Sequence, residues 1–295
     1  MSKTKNEDKL SASAKVTRAA WRVMMLDKEL IGISSMSMFI NIIMFAVFVY
    51  AGFFLLPGSF ITEAGQSWTF DVQYYLLVAA YLVVAYLVTN FFSGAISHGA
   101  FRRFDGENPT MKGSLLAASK KSGVLIKYTG LQVTVGMLYT ILMDRLPFAG
   151  KIATILADMT WSVATMFAIP VIMSSDEANP LRVVKKSART FAAIWAESVF
   201  IGITLTALSV VATMGVMAVV LALFGLGLAF ASGALLLASV VLLFGTFVAI
   251  ALLASALNQI AMTAAYYYAT TGKVPAGFDE ELIRKMFRPK KKWLI

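Results

Sequence analysis

The chain has 295 residues, of which 59% are hydrophobic and only 14% charged, with a mean hydropathy of +0.75. That excludes an ordinary soluble domain, in which about a quarter of residues carry charge. The formal net charge of +10 sits in clusters between hydrophobic runs, a placement that argues for membrane topology and against a nucleic-acid partner.

Residues 1–30 are polar and basic, and from Ser11 onward Val16, Ala19, Val23, Leu26 and Leu30 fall near one helical face. The apolar run 31–56 is too long for a signal-peptide core and ends in no small-residue cleavage pattern, so it reads as a retained first span. An acidic connection with Glu63 and Asp71 leads to a second span, 74–96, and then to a basic stretch from His98 to Lys121. A third span is predicted over 123–143, and the turn Asp144-Arg145-Leu146-Pro147 leads to a fourth over 151–173. A second basic stretch, Ser174 to Glu197, precedes a fifth span over 198–224, whose turn is read as starting at Gly225-Leu226-Gly227. The last apolar run, 233–270, is nearly twice the length a span needs. It reads as one tilted helix projecting into the cytoplasm, bent near Gly245, with two short spans as the alternative. Residues 272–295 are an amphipathic and then polybasic tail.

Counting charges orients these elements. The N-terminal segment, the two basic stretches (with Lys127) and the tail hold seven, six, four and seven Lys or Arg, while Arg145 and Lys151 complete the 26 on the other side. Basic residues mark the cytoplasmic side, so the count predicts six spans with both termini in the cytoplasm. The fold expected is an all-α bundle of three hairpins, each preceded by a basic amphipathic stretch. Two of those stretches open alike, at Glu107-Asn108-Pro109 and Glu177-Ala178-Asn179-Pro180, where Asn suits the cap and Pro the first helical turn. After Asn179, Leu181, Val184, Ala188, Phe191 and Trp195 share one face, apart from Arg182, Lys185, Lys186 and Arg189. That is the pattern of a helix lying at the headgroup level; a solvated helix packed on the bundle is the plainer alternative.

Asp158 is the only acidic residue these spans place at membrane depth, about 12 Å from the outer end of its helix. A carboxylate there needs a partner, a proton or water. Lys151 lies two turns above, and Tyr139 on the preceding span is a candidate donor. The functional reading is a proton or cation site. The favoured plainer reading is a buried interhelical hydrogen bonder, within reach of Tyr139, Lys151 or a backbone group. Asn41, Asn90 and Gln132 sit at similar depth on their spans and form either a polar pocket or, as favoured, packing contacts between helices. His98, Arg102 and Arg103 can meet a phosphate headgroup, or simply anchor their helix end. Arg288-Pro289-Lys290-Lys291-Lys292-Trp293 is a basic cluster with an adjacent aromatic, read as an anionic-lipid contact in preference to a nucleic-acid one. Tyr266, Tyr267 and Tyr268 suit an interfacial belt or a cytoplasmic helix extension. Zero cysteines exclude a thiolate metal site, a single histidine argues against a histidine-based one, and no Walker loop, HExxH, GxSxG or paired intramembrane acids occur. Neither a cofactor nor an enzymatic activity is expected. The expected function is a non-enzymatic membrane protein that organises lipids, anionic at the cytoplasmic face, or binds a protein partner. A small transporter or channel built on Asp158 is the rival, although broken paired helices are not obvious in the sequence.

Three groups of residues also resemble a family of prokaryotic integral membrane proteins of unknown function. They are Trp21-Arg22 with Asp27-Lys28-Glu29-Leu30, the run from Trp161 to Phe167 through Pro170, and Ala269 to Pro275 with Phe278-Asp279. The resemblance implies a six-span bundle in a prokaryotic cell membrane and carries over no site residues.

Overall fold

The computed structural model describes residues 17–25, 27–55, 72–230 and 232–280, and among them every regular element is helical. Hydrocarbon offers no partner to backbone N–H and C=O groups, so apolar runs of this length close their hydrogen bonds within each helix. The order is α1 (17–25), α2 (Lys28–Tyr50) continued by a π-helical turn (Ala51–Leu55), α3 (Val72–Phe104), α4 (Met111–Lys120), α5 (Ser122–Arg145), α6 (Phe148–Thr165), α7 (Ala168–Ser174), α8 (Pro180–Ala229) and α9 (Gly233–Thr271). Four stretches are long and apolar enough to cross a membrane: Lys28–Tyr50, Tyr75–Phe104, Ser122–Arg145 and Phe148–Ser174. With the composition, they point to a membrane protein.

Local chemistry sets most boundaries. Leu146 is extended (φ −88°, ψ 147°), as a residue before proline must be, and Pro147 then starts α6, so α5 and α6 follow one another across a two-residue link. Gly272 ends α9 in the left-handed region (φ 68°), its N–H reaching the Tyr268 carbonyl at 2.9 Å. The last apolar run is one helix of 39 residues, as the single-helix reading expects.

Three expectations need correction. The fourth apolar run is not one helix: it breaks between α6 and α7, with Phe167 at φ −103°, ψ 13°. Pro170 lies in the first turn of α7, where its missing N–H costs no helical bond. The Phe167 N–H donates to the buried Ser187 hydroxyl at 3.0 Å. Gly225 and Gly227 do not start a turn, because α8 continues to Ala229; glycine costs a helix only about 1 kcal/mol. The buried row at the start of α8 is Val183, Ser187, Phe191 and Ile194, while Leu181 is exposed. Trp195 is outside the side chains described.

The chain divides into two compact units, Met1–Ser34 with Gly99–Met111 and Thr190–Ile295, and Ser35–His98 with Lys112–Arg189. In the first, Phe104 stacks edge-on against Tyr267 and Phe278, and the Tyr267 hydroxyl donates to Asp105 at 2.7 Å. A β-carbon on Gly277, at φ 91°, would stand 2.9 Å from Val23, so only glycine fits this turn. In the second, the core is Phe92, Ala95, Leu125, Tyr128, Phe167 and Val171. Burial there follows helix direction: α3 is buried from Asn90 onward and α5 up to Val133, while Leu76, Ile141, Phe148 and Met159 are exposed. Most of the basic residues lie at the packed helix ends, with Arg145 and Lys151 at the other, and the exposed lengths are mainly apolar.

Short breaks separate each short helix from the long one after it. Asp27 is non-helical before α2, Lys121 (φ −100°, ψ 8°) stands between α4 and α5, and Ile194 (φ −131°, ψ 22°) interrupts α8.

Ser187→Ala removes the hydroxyl that accepts the Phe167 N–H and should lower stability by about 1 kcal/mol. Lys185→Ala, on the exposed side of the same helix, should leave thermal stability unchanged. Thermal unfolding of both variants in detergent checks the pair.

Candidate functional site

Asp158 sits on α6 with its side chain exposed, among the exposed Ile155, Leu156 and Met159. The expectation of a buried, hydrogen-bonded carboxyl is therefore corrected. The Tyr139 hydroxyl does reach α6, but it donates to the Ala157 carbonyl at 3.0 Å. Lys151 is half-buried seven residues earlier, roughly 10 Å along the helix. The neighbouring hydroxyls close on their own helix: Thr154 donates to Gly150 (3.0 Å), Thr160 to Leu156 (2.8 Å) and Thr165 to Trp161 (2.9 Å). Among the described residues nothing pairs with Asp158.

The polar trio divides. Asn90 on α3 is buried, and its amide donates to the Thr129 hydroxyl (2.9 Å) and the Gln132 side-chain oxygen (3.0 Å) on α5. Asn41 does not join them; its amide donates to the Ser37 carbonyl one turn back, at 2.9 Å. Thr129 was missed in the sequence because a lone threonine in an apolar run carries no signal. Its position, three residues before Gln132 on the same helix, was the only clue.

The basic residues also separate by partner. Arg102 pairs with Glu107, while Arg103 lies 3.2 Å from Asp27 and donates to Asn108 at 2.8 Å. Both guanidinium groups thus meet carboxylates of their own unit. Lys121 holds the end of α7, donating to the Ser175 carbonyl (2.9 Å) and to Asp176 (2.8 Å). Arg182 stands 4.0 Å from Glu177, and Lys185, Lys186 and Arg189 are exposed. The basic cluster Lys290, Lys291 and Lys292 lies outside the described residues. Among the described residues no group of three His, Cys, Asp or Glu is placed to hold a metal ion. A groove of about 280 Å³ lies between α2 and α3, lined by apolar groups of Val47, Phe48, Ala80 and Tyr81.

Comparison with known sequences places this arrangement. Residues 72–278 match the model of a family of unknown function, DUF6159. The chain belongs to the DUF6159 family. No curated protein and no solved structure matches it. The matched region takes in α3 to α9, and with them Asn90, Gln132, Asp158 and the Lys121 clamp. The family carries no assigned activity, so the chemistry must come from the geometry.

Two carboxyls move in opposite directions from the ordinary 3.8. Burial raises Asp27, against the charge of Arg103 and with that of Glu29. The hydrogen bond and then the charge of Lys121 lower the exposed Asp176. Folded Asp27 holds more proton than unfolded just above pH 3.8, so acidification through that window stabilises the fold. Folded Asp176 holds less just below it, so its contribution is lost as pH falls further. Thermal unfolding against pH should show Asp27→Asn losing the first effect and Asp176→Asn losing the second. Asn90→Leu, which removes two interhelical hydrogen bonds, should cost about 1–2 kcal/mol in a detergent unfolding assay. Asn41→Leu should cost nothing measurable.

Proposed function

We propose that the protein is a non-enzymatic, six-span integral membrane protein of a prokaryotic cell membrane, built from three hairpins with both termini cytoplasmic. It organises anionic lipid at the cytoplasmic face or serves as a scaffold for a protein partner. The observation that carries the reading is the start of α8, where Val183 and Ser187 are buried while Lys185, Lys186 and Arg189 are exposed. A helix seated on one side and basic on the other suits a headgroup layer, where each Lys or Arg near the surface contributes about 1 kcal/mol. The backbone breaks at Asp27, Lys121 and Ile194 support a threefold scheme, each separating a short basic helix from a span. The polybasic tail, with Lys290, Lys291 and Lys292, adds charge on the same side. Arg102 and Arg103 contribute less, since both already face carboxylates.

The rival reading, a small transporter or channel, is favoured by one observation. The fourth apolar run breaks at Phe167, and interrupted helices mark many transport sites. Asp158 lies nine residues before Phe167, however, on an intact stretch of α6.

Changing Lys185, Lys186 and Arg189 together to Ala should reduce binding of phosphatidylglycerol by roughly tenfold or more at low salt. The difference should shrink at about 1 M salt, where screening acts within about 3 Å. Native mass spectrometry of the purified chain reads this out, and equal binding by both proteins would overturn the lipid role. In the same preparations, loss of cation flux in Asp158→Asn at unchanged stability would establish the rival.

A further inference from the structure

Among the described residues no cation pairs with Asp158. The runs 31–56, 74–96, 198–224 and 233–270 contain no Lys, Arg or His, and 123–143 contains only Lys127, near its cytoplasmic end. Lys151 lies two turns toward the outer end of the same helix, roughly 10 Å along it, and Arg145 ends α5; long basic side chains there extend toward the headgroups. Tyr139, Thr154 and Thr160 have already given their protons to backbone carbonyls. The carboxyl is exposed, and on one side of it the apolar Ile155 and Met159 are 48% and 60% exposed. An ionised carboxylate against hydrocarbon is costly and stays only when something answers it. A second copy of this chain in the same orientation brings another Asp158 to this depth and its Lys151 roughly 10 Å along the helix from it, so self-association does not solve the problem.

We infer that this face of α6 is a docking surface for a transmembrane helix of a different protein, one that carries Lys or Arg in the outer half of the membrane. The inference rests on the partner half of the proposed function and gives that partner a chemistry. The apolar residues beside Asp158 supply packing, and the charge pair supplies selectivity. Between two helices that both face lipid, apolar surface alone discriminates poorly, because lipid tails are as apolar as leucine. An opposite charge at matching depth discriminates strongly, because either helix alone leaves its charge unanswered.

The test uses the full chain in phosphatidylcholine vesicles with two synthetic helices of about 20 Leu and Ala residues, long enough to span. One carries a single Arg a third of the way from an end; the other carries Leu there. Association is read by energy transfer from a donor dye on the chain to an acceptor on the helix. The Arg helix should bind the wild type at least about tenfold more tightly than the Leu helix, a difference of about 1.4 kcal/mol. Asp158→Asn should abolish the preference and Asp158→Glu should retain it. Equal binding of the two helices by the wild type, or a preference that survives Asp158→Asn, overturns the inference. If Asp158→Asn does not fold, the wild-type comparison decides alone. Loss of phosphatidylglycerol binding with the Arg preference intact would count against the lipid role and not against this one.

Discussion

The demand that governs this chain is that a backbone N–H or C=O out of reach of water must find its partner inside the protein. Long apolar runs meet it by becoming helices. The instructive place is where a helix stops short. At the end of α6 the ladder is broken, and Ser187, twenty residues further along, takes the Phe167 proton. That bond ties the break to the start of α8, on the side of α8 that is buried. Val183 and Phe191, each four residues from Ser187, go in with it, and Lys185 and Arg189 stay out.

A second consequence is the uneven distribution of packing. In the unit formed by Ser35–His98 and Lys112–Arg189, well-packed side chains gather where α3 ends and α5 begins, with α7. The other lengths expose Leu76, Ile141 and Met159. In water this would be a severe defect, since exposed apolar patches of that extent drive association. In lipid it costs nothing, because the tails replace what a neighbouring helix would provide. In this unit the Asn90–Thr129–Gln132 cluster and the Lys121 clamp lie at the packed ends.

The parts of the fold visible in the sequence were those written in composition and length. The all-helical class, the Leu146-Pro147 turn and the single final helix followed from apolar runs and proline. The break at Phe167 was not legible, because Pro170 alone suggests a kink and the hydroxyl that accepts the Phe167 N–H lies twenty residues away. The continuation of α8 through Gly225 and Gly227 was hidden because glycine is a turn signal in water and a tolerated helix residue in apolar surroundings. At the candidate site, the link from Asn90 to Gln132 was foreseen by depth, while the same argument wrongly included Asn41. Depth places residues at one level but does not say which way each helix turns its side chains. Asp158 was recognisable as unusual, yet its exposure depends on helix rotation, which charge counting does not reach.

The central claim is that the chain crosses the membrane with its basic, packed helix ends on the cytoplasmic side and its exposed apolar lengths in lipid. Because the sequence contains no cysteine, single cysteines can be introduced without background. Labelling with a membrane-impermeant maleimide at Ala149, Ser119, Ala178 and Leu156, all exposed positions, tests the claim most directly. Ala149→Cys should label in intact cells, Ser119→Cys and Ala178→Cys only after permeabilisation, and Leu156→Cys under neither condition. Labelling of Ser119→Cys or Ala178→Cys from outside, or ready labelling of Leu156→Cys, would contradict the account.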